Sequence, residues 1–192
     1  MFQVRIHGRG GQGVVSGAEL MSVAAFHEGR HAQAFPSFGS ERMGAPVMAF
    51  CRVDDKPIRL REPVLDPNAV IVQDPSLLHH IDVFAGLRSR GFILVNSTRD
   101  FAELGLTRLI HGMQQYHVRT LAATEIALKH VGRAVPNVPL LAGLAAMTRV
   151  VGIEALAAAI RAKFPDALAE RNLRAAMEAY DIVLAQAEDV HA

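Results

Sequence analysis

The sequence has a single cysteine, Cys51, and no tryptophan in 192 residues. One cysteine cannot close an intrachain disulfide. Nor can it supply a four-cysteine zinc site or an iron–sulfur cluster held by this chain alone. A reducing compartment is the natural setting for such a chain, so a cytoplasmic protein is expected. Lysine is scarce as well: Lys56, Lys129 and Lys163 stand against seventeen arginines. Arginine favours planar, paired contacts with carboxylate or phosphate, although biased genome composition produces the same skew. The net charge is +1, which gives no electrostatic case for nucleic-acid binding. Long apolar runs are absent. The stretch from Pro139 to Val151 is too short to span a bilayer and Arg149 interrupts it, and the N-terminus lacks a signal-peptide core. No membrane contact is expected. The G-x-S-x-G elbow, the GxxxxGK[ST] phosphate loop and HExxH are all missing.

What is present is an alternation of short apolar runs and amphipathic stretches. At roughly 100–200 residues per domain, residues 1–192 are expected to form one domain. Phe2 to Ile6 alternates as a strand, and Val14 to His27 carries helical spacing before Gly29. His31 to Phe35, Val47 to Val53, Ala69 to Gln73, Gly91 to Val95 and His117 to Leu121 read as further strands. Asp54-Asp55-Lys56-Pro57 suggests a hairpin returning through Ile58 to Leu60, and hence an antiparallel part of the sheet. Asp74-Pro75-Ser76 opens a helix, and another runs from about Ala122 to His130. Three alanine-rich helices follow over Pro139–Val151, Glu154–Phe164 and Ala167–Glu188. The expected class is α/β: a Rossmann-like, open, mostly parallel sheet with a β-hairpin and a C-terminal helical layer.

Three features can carry chemistry. Gly8-x-Gly10-x-x-Gly13 lies between a strand and a helix, where glycines let backbone N–H groups approach an anion at a helix N-terminus. A dinucleotide site also needs an acidic residue at the end of the second strand. Gln33-Ala34-Phe35-Pro36 offers none. A tight junction without ligand, an anion or nucleotide-like ligand, and a nicotinamide nucleotide therefore remain open. Within this turn Arg9 can neutralise a phosphate or carboxylate and Gln12 can donate or accept, while His7 reads as a ligand contact or, more often for such a residue, a histidine in a packed layer. The second feature is the loop Ser37 to Pro46, expected beside the glycine turn, where it lines a crevice or docks a partner subunit. The third is Asp74 and Asn96-Ser97 at strand ends, as helix caps or ligand contacts. Cys51, inside an apolar run, reads as a small buried residue.

Two stretches together resemble the gamma subunit of 2-oxoacid:acceptor oxidoreductases of the pyruvate:ferredoxin type. They are His7-Gly8-Arg9-Gly10-Gly11-Gln12-Gly13 and Gln33-Ala34-Phe35-Pro36-Ser37-Phe38-Gly39-Ser40-Glu41-Arg42-x-Gly44-Ala45-Pro46-Val47. The resemblance continues through Asp54 to Arg59, Val72 to Pro75, Val95-Asn96, Asn137, Leu141 to Ala145 and Asn172 to Tyr180. It implies one subunit of an enzyme that oxidatively decarboxylates a 2-oxoacid to an acyl-CoA and passes electrons to ferredoxin or another acceptor. It also implies thiamine diphosphate and [4Fe-4S] clusters in alpha, beta and delta-type partner chains, with coenzyme A as co-substrate. By the same resemblance, the cofactor-facing residues of this chain are Gly8, Arg9, Gly10, Gly11, Gln12, Gly13, Ser37, Phe38, Gly39, Glu41 and Arg42, with Gly44 and Pro46 matching beside them. No catalytic residue and no metal ligand is expected here. Relatives often carry an arginine where this chain has Met43, which removes a positive charge from the loop. The alternatives are a purely structural bracing subunit and a free-standing, nucleotide-binding Rossmann-like oxidoreductase.

Overall fold

A computed structural model of the chain describes residues 1–37, 43–114 and 117–188, with the backbone alone at 187–188. Its frame is a six-stranded sheet in the order β2-β3-β1-β4-β5-β6. The strands are β1 (Phe2–Arg9), β2 (His31–Pro36), β3 (Pro46–Asp54), β4 (Ala69–Val72), β5 (Phe92–Asn96) and β6 (Val118–Leu121). β1, β4, β5 and β6 run parallel, whereas β3 lies antiparallel between β2 and β1. The helices are α1 (Val14–His27), α2 (Thr107–Ile110), α3 (Ala123–Val131), α4 (Asn137–Thr148), α5 (Ile153–Lys163) and α6 (Asp166–Glu188). The mostly parallel α/β sheet with C-terminal helices is the architecture expected from the sequence.

Two details differ. The antiparallel part does not come from a return at Asp55. Residues 58–60 form no strand, because both edges of β3 are already occupied by β1 and β2 and no ladder is left for them. The hairpin is instead β2–β3, whose connection contains the 37–45 loop. The helix expected after Asp74 is one short 3-10 turn, Pro75–His79. Leu77 is its one buried side chain, so no apolar stripe holds a longer helix there. By contrast, β1 runs three residues beyond its expected end, to Arg9, because Gly8 stays in register opposite Val47.

Strand alternation sends side chains to two unlike faces. Val4, Ile6, Cys51, Ala69, Ile71, Leu94 and Leu121 pack under the helices with Leu140, Leu144 and Leu156. Burial pushes the Cys51 thiol up to about 12, as befits a small apolar core residue. On the opposite face Val70, Val72, Ile93 and Val95 meet Leu77, Val83, Phe101 and Leu104 from the connecting segments. Over β1 and β3 that second face is polar yet buried: Gln3 pairs in register with Arg52, Arg5 with Phe50 and His7 with Met48.

His7 is 5% exposed. Burial, then the neighbouring Arg5 charge, push its pKa down to about 4 against a weaker opposing hydrogen bond to the Val83 backbone. The unfolded chain takes up a proton near pH 6.5, so between pH 6.5 and 4 it binds more protons than the folded chain. Stability therefore falls as pH drops through that window. The expected loss is about 3 kcal/mol by pH 4, read as a falling urea midpoint, and His7→Met should flatten that segment of the profile.

Candidate functional site

β1 continues through α1 to β2 on one side of the sheet, while β4, β5 and β6 succeed one another on the other side. Strand order thus diverges at β1 and β4, and the crevice of such a sheet opens at the carboxyl ends of those strands. Arg9, Gln12 and Asp74 meet there.

Arg9 closes β1. Its Nη1 donates to the Gly44 carbonyl at 3.0 Å, and its Nη2 and Nε donate to Ser76 Oγ at 2.8 and 3.3 Å. The same Nε lies 3.2 Å from Asp74 Oδ2. One guanidinium therefore ties the glycine turn, the 43–45 segment and the 74–76 turn together. Backbone pairing reinforces this: Gly10 N–H donates to the Ala45 carbonyl at 2.9 Å, and Gly44 N–H to the Gly10 carbonyl at 3.1 Å. The expected adjacency of the glycine turn and the following loop is present at Gly44 and Ala45. Ser37 sits at the end of β2, its N–H donating to the Met48 carbonyl at 2.8 Å, and does not line the cleft described below. Phe38, Gly39, Glu41 and Arg42 lie outside the described residues.

Gln12 folds back over the turn. Its Oε1 accepts from Arg9 N–H at 2.8 Å, and its Nε2 donates to Asp74 Oδ2 at 3.1 Å. Gln12 N–H is spent on the Arg9 carbonyl at 3.1 Å. The amides of Arg9, Gly10 and Gln12 are therefore all partnered, and an anion seated on them would have to displace these bonds. Asp74 caps the 3-10 turn, accepting from Ser76 N–H at 3.0 Å and Ser76 Oγ at 2.6 Å. Burial alone raises its pKa, but the hydrogen bonds from Ser76 and Gln12 and the Arg9 charge outweigh that and lower it, so the carboxylate is charged at neutral pH.

A cleft of about 420 Å³ runs from Gln12 and Asp74 past Gln73, Ser97 and Thr98 to Glu125. Asn96 fixes its floor: Nδ2 donates to the Gln73 carbonyl and to Thr124 Oγ1, both at 2.8 Å, while Oδ1 accepts from Thr124 N–H at 3.1 Å. Of the two readings given to the strand-end residues, Asp74 is a cap of the turn that follows it, Asn96 ties β5 to the start of α3, and both border the cleft. Ser76 and Gln73 were not singled out as site residues. Their only signal in the sequence is position, two residues after and one residue before Asp74.

Gly13 starts α1 at φ +72°, and the Asn137 Nδ2 at the start of α4 donates to its carbonyl at 3.2 Å. A β-carbon on Gly13 would stand 2.5 Å from that nitrogen. Gly132, at φ +77°, has open space at the same point. Gly13→Ala is therefore expected to cost about 1 kcal/mol more than Gly132→Ala, because both carry left-handed strain but only the first adds a clash. Paired urea titrations of the two variants measure this.

A family model described as pyruvate ferredoxin/flavodoxin oxidoreductase matches residues 3–182. The common gamma subunit of the pyruvate/ketoisovalerate oxidoreductases of Pyrococcus furiosus is 45% identical over 94% of this chain and 96% of its own length. Pyruvate synthase subunit PorC of Methanothermobacter thermautotrophicus is 42% identical over 94% of this chain and 95% of its own. The crystal structure of pyruvate oxidoreductase subunit PORC from Thermotoga maritima superimposes with a TM-score of 0.78 at 34% identity, covering 94% of this chain and 95% of that one. Sequence and fold agree along nearly the whole length, so the chain belongs to the pyruvate ferredoxin/flavodoxin oxidoreductase family, as a gamma subunit of that enzyme complex.

Proposed function

We infer that this gamma subunit serves a cytoplasmic complex that oxidatively decarboxylates a 2-oxoacid to an acyl-CoA and delivers the electrons to ferredoxin or another acceptor. Thiamine diphosphate, in alpha and beta-type chains, would supply the decarboxylation chemistry, and [4Fe-4S] clusters in beta and delta-type chains the electron path. The buried lone thiol of Cys51 suits this division, since it is neither accessible nor accompanied by other ligands for a cluster. The role of this chain is to shape the coenzyme A and active-site region and the contact with neighbouring subunits. The observation that carries this reading is the convergence of the two family-matching stretches at one sheet edge, with Arg9 linking Gly10's turn to Gly44. The residues proposed to face the co-substrate are Gly8 to Gly13 and Ser37, Phe38, Gly39, Glu41 and Arg42.

One observation favours a bracing role instead. The Arg9 guanidinium is already engaged by Gly44, Ser76 and Asp74 within its own chain. Arg9→Ala separates the two readings in the intact complex. Contact with a phosphate or carboxylate of the co-substrate predicts a roughly tenfold higher KM for coenzyme A with the 2-oxoacid KM unchanged. Altered subunit assembly with normal kinetics in whatever complex forms would establish bracing.

A further inference from the structure

In the crevice the side chain of Gln12 bridges the backbone of its own turn and Asp74. It offers an acceptor to Arg9 N–H at 2.8 Å and, from the same amide group, a donor to Asp74 Oδ2 at 3.1 Å. Gly8 lies against it: a β-carbon there would stand 2.6 Å from Val14 Cγ2, 3.0 Å from Gln12 Oε1 and 3.1 Å from Gln73 Oε1. Gln73 is 1% exposed and lines the same cleft, yet its Oε1 is buried and accepts no hydrogen bond among the described residues. A buried acceptor without a donor is uncommon in folded proteins.

We propose that the Gln12 carboxamide stands in for a ligand, and that this cleft takes a neutral group presenting an acceptor beside an N–H donor: the Watson–Crick edge of an aminopurine or a primary carboxamide. On an adenine ring, N1 accepts from Arg9 N–H while the 6-amino group donates to Asp74 in place of Gln12. The displaced Gln12 amide then has an acceptor beside it in Gln73 Oε1. The remaining lining agrees with a nucleoside rather than a polyanion. The Ser97 and Thr98 hydroxyls and the Glu125 carboxylate line the cleft beyond Asp74, where a ribose diol could donate and accept. The lining carries two carboxylates, Asp74 and Glu125, against the single guanidinium of Arg99, so it offers no cluster of cations to a polyanion. A cleft of about 420 Å³ falls within the range of small-ligand sites. Coenzyme A carries an aminopurine, so the proposal rests on the reading of this crevice as a contact site and assigns it a different part of such a molecule than its phosphates.

The test uses the full chain without its partner subunits, so that coenzyme A kinetics in the complex and ligand binding here can succeed or fail separately. Isothermal titration calorimetry compares wild type, Gln12→Ala, Gln12→Ser and the double variant Gln12→Ala/Asp74→Asn, with adenosine, nicotinamide and inorganic phosphate as probes. Removing the internal competitor should tighten adenosine or nicotinamide binding at least tenfold in both single variants, and the double variant should lose that gain. Preference for adenosine assigns the edge to a purine, and preference for nicotinamide assigns it to a carboxamide. No gain in either single variant, with circular dichroism and Tm like wild type, overturns the proposal. So does phosphate binding that tightens when Gln12 is removed.

Discussion

Arg9 joins three segments that are far apart in sequence. Its guanidinium reaches Gly44 across the sheet on the β3 side and Ser76 and Asp74 on the β4 side. The strand ends flanking the crevice are therefore held by one residue that itself sits in the glycine turn. An exposed ion pair would add little stability. Here the pair is partly buried, and every N–H it uses also fixes a loop, so the contact matters more for geometry than for total free energy. Gln12 and Asp74 depend on it in turn. Asp74 stays charged because Ser76, Gln12 and Arg9 together outweigh its burial, and a charged Asp74 is what orients the Gln12 amide.

The same concern with solvating charge governs the far face of β1 and β3. Arg52 is 1% exposed and, among the described residues, hydrogen-bonds no carboxylate. It is held by the carboxamide oxygens of Gln3 and Gln33 and the carbonyls of Glu62 and Pro63, with Phe35 beneath its plane at 5.2 Å. Arg5 is treated likewise by the carbonyls of Val64, Val83 and Ala85. Neutral acceptors offset the desolvation of a guanidinium while leaving no second buried charge to satisfy. In doing so they pin the irregular 62–64 and 83–85 segments onto the sheet, where a regular helix would otherwise be required to cover it.

This explains which parts of the fold were legible. The buried strands and α1 follow from apolar periodicity, which local sequence carries in full: Val14–His27 is the helix in both reading and structure. The expected return through Ile58 to Leu60 is not formed, and local alternation says nothing about whether a strand edge is free. β3 is enclosed on both sides by segments about 20 and 45 residues upstream. The polar face was equally hidden, since Gln3, Arg5 and His7 alternate in β1 as solvent-facing residues would. Their burial is a property of segments 60 to 80 residues away. At the site, the glycine spacing and Asp74 were visible, whereas the Gln12 fold-back and the Asn137 contact depend on contacts 62 and 124 positions distant.

A turn whose Arg9, Gly10 and Gln12 amides are already engaged behaves differently from an open one. A ligand competes with an internal group at fixed, high effective concentration, so its apparent affinity falls by the fraction of chains in which Gln12 has swung away. A closed form favoured by about 1.4 kcal/mol weakens binding tenfold, and one hydrogen bond to a carboxylate is of that size. Arg9 Nε and Gln12 Nε2 share one acceptor, Asp74 Oδ2. A neighbour that drew Arg9 toward itself would leave that oxygen to Gln12 alone. If the crevice takes the proposed ligand, loop anchoring through Arg9 and ligand access past Gln12 would meet at that one carboxylate oxygen.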